Sequence, residues 1–385
     1  MRTYLTNCRA VLKEELLEDA ALVIEDDHIA EINPFNPVVH GTLDLEHALV
    51  IPGMIDLHCD QIEKLVAPRA GVYLDAGLAL AESDRRNVAC GITTTFQSIS
   101  FAHDELGIRN DEIAKDLVES VRVFREEALI DHRVHCRYEI TDFYGLDMLL
   151  GLIDRGLVDL VSLMDHTPGR RQFRDNRSYE IYVENAYSIS TEKARELIKA
   201  KAKNFPGALG RMETLIAKAR KLNVPIASHD DDSTEQVEYI RGRGASICEF
   251  PVTLEAASAA HQGGLKTVFG SPNIVRGKSQ NGSLRAIDAV QHDVIDCLCS
   301  DYYPATLLPA VMRITELAGW CLPKAVRLTT ANPAEAAGLR DRGEIASGKR
   351  ADIIVVCIKD GRPQITHSWV AGRLAYHAQF PRRNE

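Results

Sequence analysis

Residues 51–60 read Ile-Pro-Gly-Met-Ile-Asp-Leu-His-Cys-Asp, an apolar run that ends in a His-x-Asp pair. Side chains alternate between the two faces of a β-strand, so His58 and Asp60 project to the same side at the end of the predicted strand. An imidazole nitrogen beside a carboxylate oxygen can bind zinc, or manganese where more oxygen ligands are present. A two-residue pattern also arises by chance, and the alternative is a strand end that faces solvent.

The size and composition indicate a globular protein without a membrane span. The 385 residues are enough for one α/β barrel of about 250 residues and a smaller module. No apolar run approaches the roughly 20 residues of a membrane helix, and no secretion signal is recognisable near residue 1. Nine cysteines without Cys-x-x-Cys spacing argue against a disulfide framework, so we expect a cytoplasmic protein. The net charge of −10 disfavours a general nucleic-acid binder, although local arginines can still hold an anion.

Short runs typical of β-strands occur at both ends of the chain. Residues 21–32 alternate apolar and polar positions, and the same texture returns in two runs between residues 351 and 373. We predict one small β-sandwich domain formed by residues 1–50 and 344–385. The segment 51–343 between them is predicted to be a metal-dependent TIM-like (β/α)8 barrel.

The barrel prediction rests on strand-like apolar runs that alternate with helical periodicity. Helices are predicted over residues 110–128 and 190–203, among others. The eight candidate strands begin near Val50, Gly91, Val134, Val158, Val224, Ala245, Lys266 and Val294.

The segment 167–188 has no clear periodicity and is predicted to be a long loop. A lid over an anionic ligand and a solvated surface loop are both compatible with its composition. The segment contains arginines and tyrosines, namely Arg170, Arg171, Arg174, Arg177, Tyr179, Tyr182 and Tyr187.

Polar side chains follow five of the predicted strands at the end where barrel enzymes carry their chemistry. One such residue is more often a helix cap, but five strands that end this way favour a site. Divalent ions activate water and polarise an electrophile while a carboxylate accepts the proton, so this set suits metal-assisted hydrolysis. The residues are His58 and Asp60 after the first strand, Glu139 after the third, Asp165 and His166 after the fourth, His229 to Asp232 after the fifth, and Asp301 after the eighth.

These residues resemble the amidohydrolase superfamily, whose barrels begin with a Pro-Gly-x-Ile-Asp-x-His motif, here residues 52–58, and carry an aspartate after strand eight. Within the superfamily the chain is most similar to the diphosphatases of the carbon–phosphorus lyase pathway. Three long blocks carry that similarity, which runs over essentially the full length. They are residues 160–173 (LVSLMDHTPGRRQF), residues 227–231 (ASHDD), and residues 272–277 (PNIVRG) followed by 300–304 (SDYYP).

The resemblance implies metal-dependent hydrolysis of a ribose 5-triphosphate to a 5-phosphate and pyrophosphate in phosphonate catabolism. It implies two divalent ions, with zinc expected first and manganese or iron as alternatives, and with Glu139 as the bridging ligand. Asp301, as general base, and His166 are the candidate catalytic residues, although His166 could instead complete a metal shell. Glu249 either binds metal or contacts substrate. The implied metal ligands are His58, Asp60, Glu139, His229 and Asp301.

The partner that the resemblance implies is a small phosphorylated sugar, with no nucleic acid and no membrane, and we expect a homo-oligomer. Relatives tend to read Arg-Gly-Gly-Ser-His-Ser-Gly-Asn where residues 276–283 read RGKSQNGS, so Gln280 stands in the place of a histidine. This departure leaves room for a shifted substrate preference. The candidate phosphate contacts are Arg170, Arg171, Arg276 and Lys278.

Two alternatives keep the fold but change its use. The first is an amide hydrolase or a deaminase of a cyclic base, which would use the same metals on another electrophile. The second is a non-enzymatic barrel that serves as an assembly surface. That alternative predicts lost ligands, whereas every expected strand end except the one near Gln280 has a suitable side chain.

Overall fold

The computed structural model of the protein describes residues 2–34, 42–69, 71–102, 110–167, 176–187, 190–279 and 282–380. Their strands divide into two sheets, one at the chain ends and one in the middle. In chain order the strands are β1 (Arg2–Val11), β2 (Leu16–Glu25), β3 (His28–Ile32), β4 (Thr42–Asp44), β5 (Leu49–Pro52), β6 (Met54–Cys59), β7 (Ile92–Phe101), β8 (Asp131–Glu139), β9 (Leu160–Met164), β10 (Ile226–His229), β11 (Ile247–Glu249), β12 (Lys266–Gly270), β13 (Cys297–Cys299), β14 (Ile353–Lys359), β15 (Arg362–Val370) and β16 (Arg373–His377).

The helices surround the central sheet. None of those in the described residues has the length and apolarity needed to cross a membrane. In chain order they are α1 (Gln61–Val66), α2 (Ala76–Ala89), α3 (Asp111–Phe124), α4 (Gly145–Asp154), α5 (Asn176–Tyr187), α6 (Thr191–Asn204), α7 (Ala208–Lys221), α8 (Thr234–Arg241), α9 (Leu254–Gln262), α10 (Ser271–Arg276), α11 (Ala286–Gln291), α12 (Leu307–Ala318), α13 (Leu322–Arg327) and α14 (Ala331–Ala336).

The first sheet joins the two ends of the chain. Its strand order is β16-β15-β14-β5-β1-β2-β3, with β4 beside β1, and most neighbours are antiparallel. β5 connects the ends because it pairs with β1 on one side and with β14 on the other. Leu5, Leu22, Ile353 and Trp369 are buried in one cluster of this sheet. The predicted β-module from both termini is therefore confirmed as a mainly antiparallel sheet.

The second sheet is the predicted barrel. Its eight strands, β6 to β13, are parallel and adjacent in sequence order. A bridge between Cys59 and Asp301 brings β6 and β13 together, and the Asp301 N–H donates to the His58 carbonyl at 2.9 Å. Each strand begins within four residues of its predicted start. The first differs most, because Val50 belongs to β5 of the terminal sheet.

The barrel interior is filled by side chains, as expected for a closed parallel sheet. Leu57, Phe96, Leu160 and Val268 are among the fully buried residues of this inner cluster. The outer faces of the strands pack against the amphipathic helices, and both predicted helices form, as α3 and α6. This packing holds the C-terminal strand ends in one rim.

The chain passes from one sheet to the other at Gly53, between β5 and β6. A Cβ atom at this position would collide with the side chain of Thr93 at the start of β7, so the close approach requires glycine. The domain boundary between residues 50 and 51 stays a prediction. The terminal sheet itself extends to Pro52.

The loop predicted over residues 167–188 is wrong for residues 176–187, which form α5. Tyr179 and Val183, one turn apart, are buried against Ala194 of α6, and this apolar contact stabilises the helix. The residues around them are mostly polar, so the sequence does not show a clear helical pattern. Arg177 pairs with Glu180 at 3.0 Å between Nη1 and Oε2. Residues 168–175, with Arg170, Arg171 and Arg174, lie outside the described residues, so the lid stays a prediction.

Candidate active site

The C-terminal rim of the barrel gathers the predicted site residues from six strands. Because parallel strands end at the same edge of a closed sheet, residues far apart in sequence meet there. His58 and Asp60 lie at the end of β6, Glu139 ends β8, His166 follows β9, His229 ends β10, Glu249 ends β11, and Asp301 follows β13.

His58 and Glu249 form a buried pair beneath the rim. His58 Nδ1 lies 3.1 Å from Glu249 Oε1, and Ser162 Oγ donates to Glu249 Oε2 at 2.7 Å. Burial, together with the charges of Arg137 and His229, lowers the pKa of His58, so the ring is neutral. Since a carboxylate only accepts, Nδ1 carries the proton and Nε2 keeps the lone pair. A carboxylate that orients a histidine in this way is typical of metal sites.

Glu139 is surrounded by cationic and polar donors. Its Oε2 lies 3.2 Å from His166 Nδ1 and 3.1 Å from Lys201 Nζ, and Thr141 Oγ1 donates to Oε1 at 3.0 Å. Burial opposes ionisation, but the charges of Lys201 and His166 outweigh it and hold the pKa of Glu139 well below its usual value. Glu139 therefore carries a negative charge inside the barrel mouth.

Asp230 adds a carboxylate beside His229. Asp230 Oδ2 lies 2.9 Å from His229 Nδ1 and 3.7 Å from His166 Nε2. The backbone at Asp230 has a φ of 59°, in the left-handed region that few residues other than glycine adopt. Burial opposes ionisation here as well, but His229 and His166 keep the pKa of Asp230 below its ordinary value.

Asp301 and Asp60 bring two carboxylates close together. The Asp60 N–H donates to the Asp301 carbonyl at 2.9 Å. Burial of the carboxyl group and the negative charge of Asp60 raise the pKa of Asp301 to about 8. Arg137 Nη2 offsets part of this charge, at 3.9 Å from Asp60 Oδ2 and 3.4 Å from Glu63 Oε1. Two carboxylates that disfavour each other's ionisation are suited to a bound cation.

The donor set fits one or more divalent ions. His58, His229 and Glu249 offer ligand atoms within 4.8 Å of one another, and so do His166, His229 and Asp230. Both groups contain His229, so they are neighbours in the rim. Imidazole and carboxylate donors suit zinc, manganese and iron alike. The residues present are therefore compatible with metal binding, and their donor atoms do not distinguish between these metals.

The candidate phosphate contacts are only partly described. Arg276, at the end of α10, is exposed, and its Nη1 lies 3.4 Å from Tyr302 Oη. Lys278 is also exposed. Arg170, Arg171 and Gln280 lie outside the described residues.

Arg137 and Lys201 were not foreseen as residues of the site, whereas Asp230 lay in the predicted run from His229 to Asp232 without an assigned role. Arg137 stands two positions before Glu139 on β8, so strand alternation already places both on one face. Asp230 directly follows His229 in an aspartate-rich run, which was a readable signal. Lys201 comes from the last turn of α6, and no local pattern connects it with Glu139.

Comparison with known proteins gives a sequence match and a set of structural matches. The model of the amidohydrolase family matches residues 91–375. The chain is 33% identical over 377 residues to the α-D-ribose 1-methylphosphonate 5-triphosphate diphosphatase of Escherichia coli K12, covering 97% of this chain and 100% of that protein.

Solved structures resemble the fold at lower sequence identity. N-acetylglucosamine-6-phosphate deacetylase from Pasteurella multocida gives a TM-score of 0.66 at 13% identity, over 97% of this chain and 99% of that one. The corresponding deacetylase from Mycobacterium smegmatis gives 0.64 at 17% identity, again over 97% and 99%. At such identities the likeness shows the fold alone.

Proposed function

Because this chain belongs to the amidohydrolase family, we propose that it is a metal-dependent diphosphatase of phosphonate catabolism. Its proposed reaction is hydrolysis of α-D-ribose 1-methylphosphonate 5-triphosphate to the 5-phosphate and pyrophosphate. The observation that carries the proposal is the 33% identity to the Escherichia coli diphosphatase over 97% of the chain.

The nine cysteines are all free thiols, in keeping with a cytoplasmic location.

The proposed metal ligands are the carboxylates and imidazoles of the rim. We assign two divalent ions, with zinc first and manganese or iron as alternatives, and Glu139 as the shared ligand. A divalent cation supplies positive charge for the phosphoryl oxygens and makes water more acidic. The ligand set is His58, Asp60, Glu139, His229 and Asp301, with Asp230 adjacent to it.

Two residues have proposed roles in proton transfer. Asp301 accepts the proton of the attacking water as general base. His166 lies between Glu139 and Asp230, at 3.2 Å and 3.7 Å from their nearest carboxylate oxygens. A ring N–H of His166 in this position can donate a hydrogen bond to a phosphoryl oxygen.

Glu249 is assigned a supporting role rather than contact with substrate. Its two oxygens already lie within hydrogen-bonding distance of His58 and Ser162. Arg276 and Lys278 are assigned to the phosphates, because both are exposed cations in the segment that follows β12. Arg170 and Arg171 have the same proposed role.

The test combines elemental analysis of the purified protein with pyrophosphate-release assays. Substrates would include ribosyl triphosphates, nucleoside triphosphates and cyclic amides. The proposal expects bound divalent metal and pyrophosphate release that is fastest with the ribosyl triphosphate. Turnover of amides without pyrophosphate release from any triphosphate would overturn it in favour of an amide hydrolase.

A further inference from the structure

Three residues beside Asp301 form a small cationic group, which we call the Tyr302 cluster: Lys64, Tyr302 and Arg276. Lys64 Nζ lies 5.4 Å from the centroid of the Tyr302 ring, within the range of a cation–π contact. At the hydroxyl end of the ring, Arg276 Nη1 lies 3.4 Å from Tyr302 Oη. The members come from α1, from the end of α10 and from the residue after Asp301, so the fold alone brings them together.

Neither cation of the cluster forms an ion pair in the described part of the chain. Both Lys64 and Arg276 are exposed, and neither forms an ion pair with a described carboxylate. Arg137, in the same rim, is different because Asp60 and Glu63 neutralise it at 3.9 Å and 3.4 Å. The charge of Lys64 also acts on the buried Asp301 carboxyl group. In a protein of net charge −10, two exposed cations beside one tyrosine create a local attraction for anions.

The chemistry of the cluster suits a chain of phosphates better than a single anion. An ammonium group is a compact point charge, whereas a guanidinium group presents a planar fork that matches phosphate oxygens. The two groups lie on different parts of the same ring, one over its face and one at its hydroxyl. A polyphosphate has more negative charge and more oxygens than a single phosphate, so it gains more from two cations at different parts of one ring.

We infer that the Tyr302 cluster is the subsite for two consecutive phosphate groups of the substrate. Tyr302 holds both cations in position, and its hydroxyl is a further hydrogen-bond donor to the phosphates. The identity of the substrate rests on the proposed function, but the binding of a diphosphate group by this cluster does not. Lys64 and Tyr302 thereby join Arg276 as determinants of substrate charge.

The test measures the binding of inorganic pyrophosphate and of inorganic phosphate to the metal-loaded full-length protein by calorimetry. Bound metal is determined in the same samples, because pyrophosphate also chelates metals. Lys64→Ala and Arg276→Ala should each weaken pyrophosphate binding about tenfold, and the double variant about 100-fold, as expected for hydrogen bonds to charged groups. Binding of inorganic phosphate should weaken by a clearly smaller factor in the same variants, because phosphate has less charge and fewer oxygens to interact with both cations.

Lys221→Ala is the matched control. Lys221 is also exposed, and it ends α7 on the opposite side of the barrel, before β10 begins. Its loss changes the net charge by the same amount and should leave pyrophosphate binding unaltered. Tyr302→Phe keeps the ring beneath Lys64 and removes the hydroxyl at Arg276, so it should give a smaller loss than Arg276→Ala.

The outcomes separate this inference from the proposed function. Pyrophosphate binding that stays at the wild-type level in the double variant would overturn the subsite, even if the protein releases pyrophosphate from its substrate. Conversely, weaker binding in the variants without any triphosphate turnover would support the subsite and count against the diphosphatase. Equal losses in Lys64→Ala, Arg276→Ala and Lys221→Ala would reduce the effect to net charge and also overturn the subsite.

Discussion

Glu139 and Asp301 are both carboxylates at the barrel rim, yet their surroundings shift their pKa values in opposite directions. Lys201 and His166 stabilise the ionised form of Glu139 despite burial, and its pKa is lowered. Asp301 has Asp60 beside it, and burial together with that negative charge raises its pKa to about 8. Positive charge from the protein thus outweighs burial at Glu139, whereas the charges of Arg137 and Lys64 do not outweigh burial and Asp60 at Asp301.

The largest expected effect follows from Asp301→Asn. Asparagine has nearly the same shape and tolerates the φ of 55° found at this position, so the variant should fold. It cannot accept a proton, and turnover should fall by roughly 10²- to 10⁴-fold at saturating metal. The measurement is kcat in samples of known metal content. Activity near the wild-type level would remove Asp301 from the reaction.

Glu139→Gln should mainly affect metal binding. The substitution keeps the side-chain shape but removes the negative charge that Lys201 and His166 now balance, so we expect metal affinity to fall by about 10- to 100-fold. Elemental analysis after dialysis at limiting metal gives the occupancy. If metal occupancy is unchanged, Glu139 is not a shared ligand.

Lys201→Met tests the built-in counter-charge. Both partners are buried, so loss of the ammonium group should lower the free energy of unfolding of the metal-free protein by about 1–3 kcal/mol. Lys203→Met, at an exposed position of the same helix, is the matched control and should be nearly neutral. The same Lys201 change in a Glu139→Gln background should cost less, and an equal cost in both backgrounds would show that the pair is not coupled.

The smallest effect is a pH dependence of the metal-free protein. The pKa of Asp301 is higher in the folded state than in the unfolded chain, so its contribution to stability is present at low pH and declines as the pH rises towards about 8. Asparagine at this position does not titrate. The thermal midpoint of wild type relative to Asp301→Asn should therefore fall by a few degrees between pH 5 and pH 8. A difference that is constant over this range would contradict the raised pKa.

Several parts of the fold could be read from local pattern. Strand-like runs that alternate with helical periodicity predicted the barrel, and the chain ends predicted the terminal β-module. The strand pattern also predicted that His58, Glu139 and Asp301 lie at one rim, because each stands at the end of a predicted strand. The helix over residues 176–187 was missed because its apolar stripe consists of few residues, and its burial depends on contact with α6.

The sequence alone determined which functional groups lie at the ends of the barrel strands. Side chains alternate along a strand and parallel strands end at a common edge, and both rules can be applied to the sequence directly. Tertiary structure decided how those groups are charged. Lys201 reaches Glu139 only because α6 packs over the rim, and Lys64 and Arg276 meet at Tyr302 only because the barrel closes. Electrostatic energies depend on distance and burial in space, and neither quantity is encoded in the spacing of residues along the chain.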